Sequence, residues 1–435
     1  MSESGEPKKP QEMTARIPSD EELRWITTRA VADIIPHDDF VAAMRSGRAL
    51  RLKMGFDPSA PDLTLGHAVG LRKLRQLQEL GHTIVVIVGD WTARIGDPSG
   101  QSKTRPMLTA DEVKANAETY LRQFSKIVDR ELTEIRWQSE WFDDFRLTDV
   151  VRLAAKFTVA QMLERGDFAD RFQNQKPIGI HELLYPLLQA YDSVAVEADV
   201  EFGGTDQTFN LLVGRELQPD FGQPPQAVFT VPLLVGTDGV KMSKSQGNYV
   251  ALDESPHEMY GKLMSITDPL VGDYFALLTD VPDEEIGHIR EAVAKGGAGA
   301  RDEKMRLATE IVSQFHGEEA AKAAEEQFVR TFRLGEMPEE GVVNIPWQEL
   351  PFAELITAGI SPSDYVATKG APVLMASLIS RGLGVSMGTA RRLLEQGAVE
   401  IDGRNTTTRI GNVKPGSIIR VGKHQFLRIV DVAKG

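Results

Sequence analysis

A strand–helix–strand unit near the start of the chain constrains the fold most. The segment from Leu50 to Asp57 alternates apolar positions like a short strand, and Gly66 to Leu80 repeats leucines at helical spacing. The run HTIVVIVGD that follows is continuous and rich in β-branched residues, which is typical of a strand buried on both faces. Two such strands joined by a helix predict a βαβ unit and therefore a parallel α/β sheet.

Composition excludes several classes of site. The chain has 435 residues, of which 41% are hydrophobic, enough for more than one globular domain. It contains no cysteine, which excludes disulfides, thiolate metal sites and cysteine nucleophiles. The eight histidines lack ligand spacing, so no protein metal site is predicted. Without a long apolar run or a signal-peptide pattern, the sequence predicts a soluble, cytoplasmic protein.

Charge is distributed unevenly along the chain. From Pro372 to the C-terminus there are ten Lys/Arg against four Asp/Glu, a net charge of +6. Because the whole chain carries −14, the remainder carries −20. A basic C-terminal segment on an acidic body predicts that only this segment meets a polyanion such as RNA, although chance variation in composition is the alternative.

The rest of the pattern divides the chain into helical and mixed segments. Helical patterning covers Asp20 to Ile35, and a T-x-x-E capping box at Thr109 predicts another helix start, with helices dominating to about residue 195. A strand is expected at Val228 to Val235. Residues 253–331 look helical, 334–370 look like a Pro/Gly-containing linker, and 372–435 contain helices followed by short strands.

Two short segments suit phosphate chemistry. Neither a P-loop nor a G-x-G-x-x-G motif after the first strand is present. Thr64, Gly66 and His67 instead stand at a predicted helix N-terminus, where unpaired N–H groups favour phosphate; an ordinary turn is the alternative. The KMSKS run from Lys241 to Ser245 follows a predicted strand and offers a cationic loop to a triphosphate, although a solvated basic turn has the same composition.

A third candidate is a polar helix face. Tyr185, Gln189 and Asp192 are spaced by four and seven residues and therefore share one face, while leucines 183, 184, 187 and 188 occupy the other side. A phenol, an amide and a carboxylate in one row could bind either a zwitterionic amino acid or the phenol of its side chain. An ordinary solvated face is the alternative reading.

These segments together resemble a known family. TLGH and KMSKS resemble the HIGH and KMSKS signatures of class I aminoacyl-tRNA synthetases, with Thr64 in place of the first histidine. The blocks GFDPSAPDLTLGH, GDPSG, YPLLQAYDS and GGTDQ resemble those of bacterial tyrosyl-tRNA synthetases, in the family's order. The basic tail is similar to the S4-type RNA-binding module of the same family.

The resemblance implies an architecture. It implies an α/β fold, with a class I Rossmann-like parallel sheet carrying a helical insert, then an α-helical domain and a small α+β S4-like RNA-binding domain. The implied boundaries are 1–45 for an N-terminal leader and helix, 46–250 for the catalytic domain with a dimerisation insert at about 120–195, 251–333 for the α-helical anticodon-side domain, 334–370 for a linker and 371–435 for the S4-like domain.

The resemblance also implies a reaction and its partners. Tyrosine and ATP, with Mg²⁺ on the ATP, would form tyrosyl-adenylate and pyrophosphate, and the tyrosyl group would pass to the 3′-terminal adenosine of tRNA(Tyr). A homodimer is implied, with no DNA or membrane partner. The implied catalytic residues are Thr64, His67, Lys103, Arg105, Lys241 and Lys244. The implied tyrosine ligands are Asp97, Tyr185, Gln189 and Asp192. The implied ATP ligands are Gly55, Asp57, Gly66, His67, Gly204, Asp206, Gln207, Met242, Ser243 and Lys244. The implied RNA contacts are Arg391, Arg392, Arg404, Arg409 and Lys414.

Three positions depart from the best-known pattern. Lys53 stands where a tyrosine of the family helps to read the substrate hydroxyl. In having a lysine here, the chain resembles the second bacterial branch of the family. Gln101 replaces a loop lysine, and Glu201 replaces a glutamine, with its role left open. A tryptophanyl-tRNA synthetase, a nucleotidyltransferase of related fold and a non-catalytic RNA-binding paralogue are the alternative functions.

Overall fold

The computed structural model describes residues 14–58, 62–97, 109–240, 242, 247–333, 342–347, 350, 371–422 and 425–430. The chain divides into two compact units. The first comprises residues 1–254 and 265–311, and the second comprises residues 255–264 and 312–435.

The first unit is built around a six-stranded sheet with the order β1-β6-β5-β2-β3-β4. Strand β1 pairs antiparallel with β6, and every other neighbouring pair is parallel. The expected α/β fold class is therefore confirmed. The strands are β1 (Asp33–Ile35), β2 (Arg51–Phe56), β3 (Thr83–Val88), β4 (Thr133–Trp137), β5 (Val200–Gly204) and β6 (Ala227–Val231).

Helices cover this sheet and connect its strands. They are α1 (Asp20–Thr28), α2 (His37–Arg45), α3 (Leu65–Gln78), α4 (Thr92–Ile95), α5 (Ala110–Phe124), α6 (Ser139–Phe142), α7 (Leu147–Ala154), α8 (Val159–Met162), α9 (Gly166–Gln173), α10 (Ile180–Ala195) and α11 (Thr208–Leu217). Further along the chain are α12 (Pro256–Met264), which belongs to the second unit, α13 (Val271–Leu278), α14 (Asp283–Ala294) and α15 (Gly297–His316).

The βαβ unit that the sequence predicts is present as β2, α3 and β3. The helical leucines Leu71, Leu74 and Leu77 are fully buried, as their spacing requires for a helix packed on a sheet. Strand β3 is buried at five of its six positions, which explains its continuous apolar run. The predicted capping box at the start of α5 is also formed, with Thr109 and Glu112 bonding to each other's backbone N–H groups.

Two helical predictions in this unit are wrong in part. Helix α1 ends at Thr28, and Ala30 takes a left-handed conformation with φ of 52°. Residues 33–35 then add the edge strand β1, because Ile34 lies opposite Phe229 and can bury its side chain there. Within the region expected to be mainly helical, Thr133–Trp137 forms β4 and pairs with β3. In both cases a sheet edge supplies backbone partners that local periodicity does not reveal.

The second unit combines helices with two small sheets. Its larger sheet has the order β10-β9-β12-β13-β7, and β11 pairs with β8 in a separate two-stranded sheet. Buried side chains such as Val373, Leu378, Ile419 and Leu427 form its core. Its remaining elements are α16 (Glu318–Arg333), β7 (Val342–Pro346), β8 (Ala371–Leu374), α17 (Met375–Leu383), α18 (Met387–Glu395), β9 (Val399–Ile401), β10 (Arg404–Asn405), β11 (Ile410–Val413), β12 (Ile418–Val421) and β13 (Gln425–Val430).

Part of the predicted linker is regular structure. Strand β7 lies inside residues 334–370 and pairs parallel with β13, with Ile345 opposite Ile429. Ile345 is buried in the core, and a Cβ on Gly382 would lie 2.9 Å from its Cδ1 atom. The C-terminal module, which the resemblance places at residues 371–435, therefore also includes strand β7 from upstream of residue 371. Most of the remaining linker lies outside the described residues.

Among the residues that the structure describes, no helix is both long enough and apolar enough to cross a membrane.

Strand β7 provides a test of how far the C-terminal module extends. Ile345→Ala is expected to lower the free energy of unfolding of this module by about 2–4 kcal/mol, because it opens a cavity in the core. Val343→Ala, on the exposed face of the same strand, should change it by no more than about 0.5 kcal/mol. Native-state hydrogen exchange of the amides in β12 and β13, measured on the full chain in urea, reports both values. Equal effects of the two substitutions would contradict the assignment of β7 to the core.

Candidate active site

The candidate site lies where the parallel strands of the first unit end. Strands β3 and β4 follow β2 on one side, and the chain then returns to place β5 on the other side of β2. This reversal is the point at which parallel α/β sheets usually bind ligands. Polar residues follow each strand: Asp57 after β2, Thr92 after β3, Gln138 after β4 and Gln207 after β5.

A buried ion pair joins β2 to β5 beneath this site. Lys53 and Glu201 are direct register partners, and their charged atoms are 2.9 Å apart with both side chains almost fully buried. The Lys53 Nζ atom also donates to the Gln189 carbonyl and to Ser193 Oγ, each at 2.8 Å. Glu201 in turn accepts from Ser193 Oγ at 3.0 Å and from Gln226 Nε2 at 2.5 Å. Three acceptors thus surround the ammonium, as a buried cation requires.

Helix α10 has both of the faces that the sequence predicts, one polar and one apolar. Leu187 is buried, and leucines 183, 184 and 188 pack partly buried against the same cluster. Tyr185 donates from its hydroxyl to Asp57 Oδ2 at 2.8 Å. The Gln189 side chain donates to Glu201 at 3.2 Å and accepts from Asn210 at 3.1 Å. The face is therefore directed into a polar interior rather than into solvent.

Asp192 forms the far end of this face and is held by two donors. Its carboxylate accepts from Gln138 Nε2 at 2.8 Å and from Trp141 Nε1 at 3.2 Å. Burial raises the pKa of Asp192 to about 7, and the nearby positive charge of Lys53 opposes that rise. Burial also raises the pKa of Tyr185 well above its ordinary value, with the negative charge of Asp57 adding to the effect. Tyr185 therefore acts as a hydrogen-bond donor at neutral pH.

Asp57 connects α10 to the loop after β3. Its Oδ1 atom accepts from the Thr92 hydroxyl at 2.6 Å, and Thr92 also contacts Gln138. Gly89 packs so closely here that a Cβ would overlap both the Asp57 carboxylate and the Thr92 hydroxyl. These contacts orient Asp57 toward Tyr185 before any ligand binds. The role that the resemblance implies for Asp57 is different, namely binding of ATP.

Asp97 lies beside the α10 face, among residues from two other elements. Its carboxylate accepts from Gln207 Nε2 at 2.7 Å and from Arg165 Nη2 at 3.1 Å. Arg165 comes from the insert and forms a second ion pair with Asp167 at 2.8 Å. Among the described side chains of this interior, the carboxylates of Asp57, Asp97, Asp192 and Glu201 outnumber the cations of Lys53 and Arg165. A region with excess negative charge attracts an ammonium group.

The first phosphate candidate begins helix α3. The backbone N–H of Thr64 donates to His67 Nδ1 at 3.1 Å, so the neutral imidazole carries its proton on Nε2. Thr64 is the N-cap residue, and its backbone bridges to Ala251. A Cβ on Gly66 would lie 3.6 Å from the Met242 sulfur, which brings one residue of the KMSKS run close to this helix end. Met242, the one described residue of the KMSKS run, therefore lies near the TLGH motif.

The other nucleotide candidates lie at the ends of β2 and β5. Gly55 is exposed in β2. Gly204 ends β5, and a Cβ there would lie 2.7 Å from Leu233 Cδ2 and 2.8 Å from Asp206 Oδ1, so a larger residue would require these two side chains to move. Asp206 is exposed on the short 3₁₀ helix that follows. Lys103, Arg105, Lys241, Ser243 and Lys244 lie outside the described residues.

The predicted RNA contacts belong to the second unit, where all five are exposed. Arg391 and Arg392 lie on α18, and Arg404 lies on β10. Arg409 and Lys414 flank β11. Exposed basic side chains on helix and turn surfaces are accessible to a phosphate backbone.

Comparison with known proteins identifies the family. A family model described as tRNA synthetases class I (W and Y) matches residues 45–333. A tyrosine--tRNA ligase of Dehalococcoides mccartyi (strain CBDB1) is 53% identical over 413 residues, covering 95% of this chain and 99% of that protein. The tyrosine--tRNA ligase of Thermotoga maritima is 49% identical over 412 residues, covering 94% and 97%. The chain belongs to the class I tyrosyl-tRNA synthetases.

Solved structures agree with the fold of this synthetase. A tyrosyl-tRNA synthetase from Archaeoglobus fulgidus, complexed with L-tyrosine, has a TM-score of 0.58 at 24% identity, covering 70% of this chain and 99% of that chain. A C-terminally truncated mitochondrial tyrosyl-tRNA synthetase from Aspergillus nidulans also has a TM-score of 0.58, at 23% identity, covering 72% and 98%. At this identity the likeness shows the fold alone.

Sequence reasoning missed several residues of the synthetase's polar interior. Gln138, Trp141 and Arg165 make direct contacts with predicted site residues, yet none stands in a recognised motif. Asn210 was also missed, although its spacing of three from Gln207 in the sequence permits the bond between their side chains. The partners of Gln138 and Arg165 are distant in sequence, so no local signal identifies them.

The buried ion pair can be tested by removing its partners in turn. Lys53→Met is expected to lower the free energy of unfolding by about 3–5 kcal/mol, because Glu201 remains buried without its cation. Adding Glu201→Gln should recover much of that loss. Lys156→Met is the matched control, since Lys156 pairs with Asp220 at the surface and should lose less than about 1 kcal/mol. Urea titrations of the wild type, both single variants, the double variant and the control give the five values, and strictly additive losses for the pair would contradict the coupling.

Proposed function

We propose that this chain is a tyrosine–tRNA ligase that works in two steps. The tyrosine carboxylate attacks the α-phosphate of ATP, forming tyrosyl-adenylate and releasing pyrophosphate. The tyrosyl group then passes to the 3′-terminal adenosine of tRNA(Tyr). In the first step the protein supplies no nucleophile of its own, so its contribution is positioning and charge stabilisation.

The observation that carries this proposal is the polar face of α10 in the context of the family. Tyr185 and Gln189 point into the same interior as Asp97, a group with a suitable charge for the substrate ammonium. Asp192 stands seven residues beyond Tyr185, at the other end of the face. A phenol-bearing zwitterion matches this order of groups, with its charged end at Tyr185 and Asp97 and its hydroxyl at Asp192.

The substrate hydroxyl is assigned to Asp192 rather than to Lys53. The Lys53 ammonium already has three acceptors, at 2.8, 2.8 and 2.9 Å, and its side chain is fully buried. An ammonium has three protons to donate, so none is left for a ligand. Asp192 is held by Gln138 and Trp141 on its two oxygens, and each carboxylate oxygen has capacity for a further bond.

The nucleotide is expected at the N-terminus of α3 and the end of β5. Thr64 and His67 would contact the phosphates from this helix end, and Gly66 permits a close approach. Asp206 would bind the ribose and Gly204 would lie beneath the nucleotide. The proposed clamp on the leaving pyrophosphate consists of Lys103, Arg105, Lys241 and Lys244, with Met242 and Ser243 in the same loop. Mg²⁺ would arrive with ATP and share the phosphate charge.

The RNA partner is assigned to the second unit. Its five exposed basic residues, Arg391, Arg392, Arg404, Arg409 and Lys414, would contact tRNA phosphates, with an affinity that falls as salt rises. The net charge of +6 from residue 372 onward supports this assignment. A cytoplasmic location follows from this substrate and remains a prediction.

A homodimer is proposed through the helical insert. Large apolar side chains are exposed there, including Leu147 at 79%, Phe172 at 64% and Ile180 at 83%. Val151 and Val159 in the same insert are also exposed, and Leu147 and Val151 share a face of α7. Exposed apolar surface of this kind is typical of a protein–protein interface.

Amino-acid-dependent ATP–pyrophosphate exchange tests the function directly. Assayed with all twenty amino acids and no tRNA, the chain is expected to exchange with tyrosine alone. Exchange with tryptophan would retain the class I chemistry and overturn the assignment of Asp192. Absence of exchange with every amino acid, from protein that is folded by circular dichroism, would favour the RNA-binding paralogue.

The pH dependence of tyrosine binding tests the role of Asp192. Because its pKa is about 7, lowering the pH below that value protonates the acceptor, and KM for tyrosine should rise by up to about tenfold per pH unit. KM for ATP serves as the internal control and should not share this dependence. Asp192→Asn should have a high KM for tyrosine that no longer changes between pH 6 and about 8. If KM for tyrosine in Asp192→Asn still depended on pH as it does in the wild type, the assignment would be contradicted.

The same carboxyl group predicts an opposite trend in stability. A pKa raised from 3.8 to about 7 means that the folded protein binds this proton more tightly than the unfolded chain. The resulting stabilisation is fully present below the unfolded value and is lost as the pH rises through about 7. Urea unfolding of the wild type and of Asp192→Asn between pH 5 and about 8 should therefore show a stability gain for the variant that grows with pH.

A further inference from the structure

Arg165 occupies an unusual place between the insert and the candidate site. It is the N-cap residue of α9, yet its side chain is only 4% exposed. Each of its three guanidinium nitrogens bonds to a different side chain: Nε to Asp167 at 2.8 Å, Nη1 to Asn210 at 3.1 Å and Nη2 to Asp97 at 3.1 Å. A buried arginine with three separate acceptors fixes the relative positions of all three.

These contacts close into a ring of side chains. Gln207 donates to Asp97 at 2.7 Å and accepts from Asn210 at 2.9 Å, so the ring runs from Arg165 through Asp97, Gln207 and Asn210 back to Arg165. Asn210 also donates to Gln189 at 3.1 Å. Asp97, which the proposed function assigns to the ammonium end of tyrosine, and Gln189, a proposed tyrosine ligand, are therefore attached to one ring.

We propose that Arg165 is a positioning residue for recognition of the tyrosine ammonium. It acts through Asp97 and Asn210 and does not itself contact the substrate. This inference rests on the proposed function, because it concerns the amino-acid site of the same reaction. Arg165, Asp97 and Asp167 together carry one net negative charge, which is opposite in sign to the ammonium.

The fork geometry of arginine is essential to this role. A lysine at position 165 would keep the charge but would bring a single nitrogen to the place where three now bond to three acceptors. Without the fork, Asp97 retains its bond to Gln207 but loses the bond from Arg165 Nη2 to its other oxygen. The carboxylate is then held less firmly in the direction in which it would meet the ammonium.

Two tyrosine analogues separate this role from a general loss of structure. Tyramine keeps the ammonium and lacks the carboxylate, whereas 3-(4-hydroxyphenyl)propanoate keeps the carboxylate and lacks the ammonium. In Arg165→Gln, the affinity for tyrosine and for tyramine is expected to fall by about 10- to 100-fold, the size of a lost charged hydrogen bond. The affinity for the propanoate should stay within about twofold of the wild type. Titration calorimetry measures all three without requiring catalysis.

Arg171→Gln is the matched control on the same helix. Arg171 is also a buried arginine of α9, but it bonds to Glu182 at 2.6 Å and to the Pro177 carbonyl at 2.5 Å, outside the ring. It should lower stability without changing the ratio of tyramine to propanoate affinity. The same selective loss in this variant would assign the effect to movement of α9 and overturn the proposal.

Two further variants, Arg165→Lys and Asn210→Ser, test the same role of the ring. Arg165→Lys should also bind tyramine weakly, and full recovery would overturn the requirement for the fork. If Arg165→Gln does not fold, Asn210→Ser opens the same ring without removing a charge and should give the same selective loss. Unchanged or tighter tyramine binding in the folded ring variants, or an equal loss for both analogues, overturns the inference. A wild type that binds no tyrosine and supports no exchange would instead overturn the proposed function.

Discussion

A buried ion pair between neighbouring strands organises the amino-acid end of this site. Lys53 and Glu201 are register partners on β2 and β5, at the reversal of strand order where α/β sheets bind ligands. Removing two charges from water costs several kcal/mol each, so the pair is tolerated only where further bonds satisfy both ions. Ser193 and the Gln189 carbonyl of α10 supply them. The helix, and the polar face it carries, is thereby fixed to the sheet.

The negative charge that remains in this interior has a chemical use. With Lys53 matched by Glu201 and Arg165 shared between Asp97 and Asp167, the carboxylates among the described residues of this interior still exceed the cations. The ligand ammonium proposed above would complete the balance, and it would meet groups that are already oriented by their neighbours. Preorganised groups of this kind need no rearrangement when the substrate binds, which is an advantage for an enzyme whose first step depends on positioning.

The contacts that could be predicted from the sequence are those between residues that lie close together along the chain. The capping box at Thr109, the buried leucines of α3 and the common face of Tyr185 and Asp192 follow from spacings of three to seven residues, and all three are present. Strand β7 and the bond from Tyr185 to Asp57 join distant segments. No periodicity in either partner predicts such pairings, because each becomes favourable only after the chain has brought the two segments together.

The sequence by itself determined the family, the parallel α/β fold and the set of residues available for chemistry, because these depend on motifs and on local periodicity. Only the tertiary structure decided the partner of each polar side chain. Lys53 aligned with a residue that reads the substrate, yet its ammonium is consumed by Glu201, Ser193 and a backbone carbonyl. Arg165 lies in no motif, yet it reaches Asp97. The physical reason is burial: a polar group that loses water must bond to whatever acceptors the fold brings within reach, and those acceptors come from elsewhere in the chain.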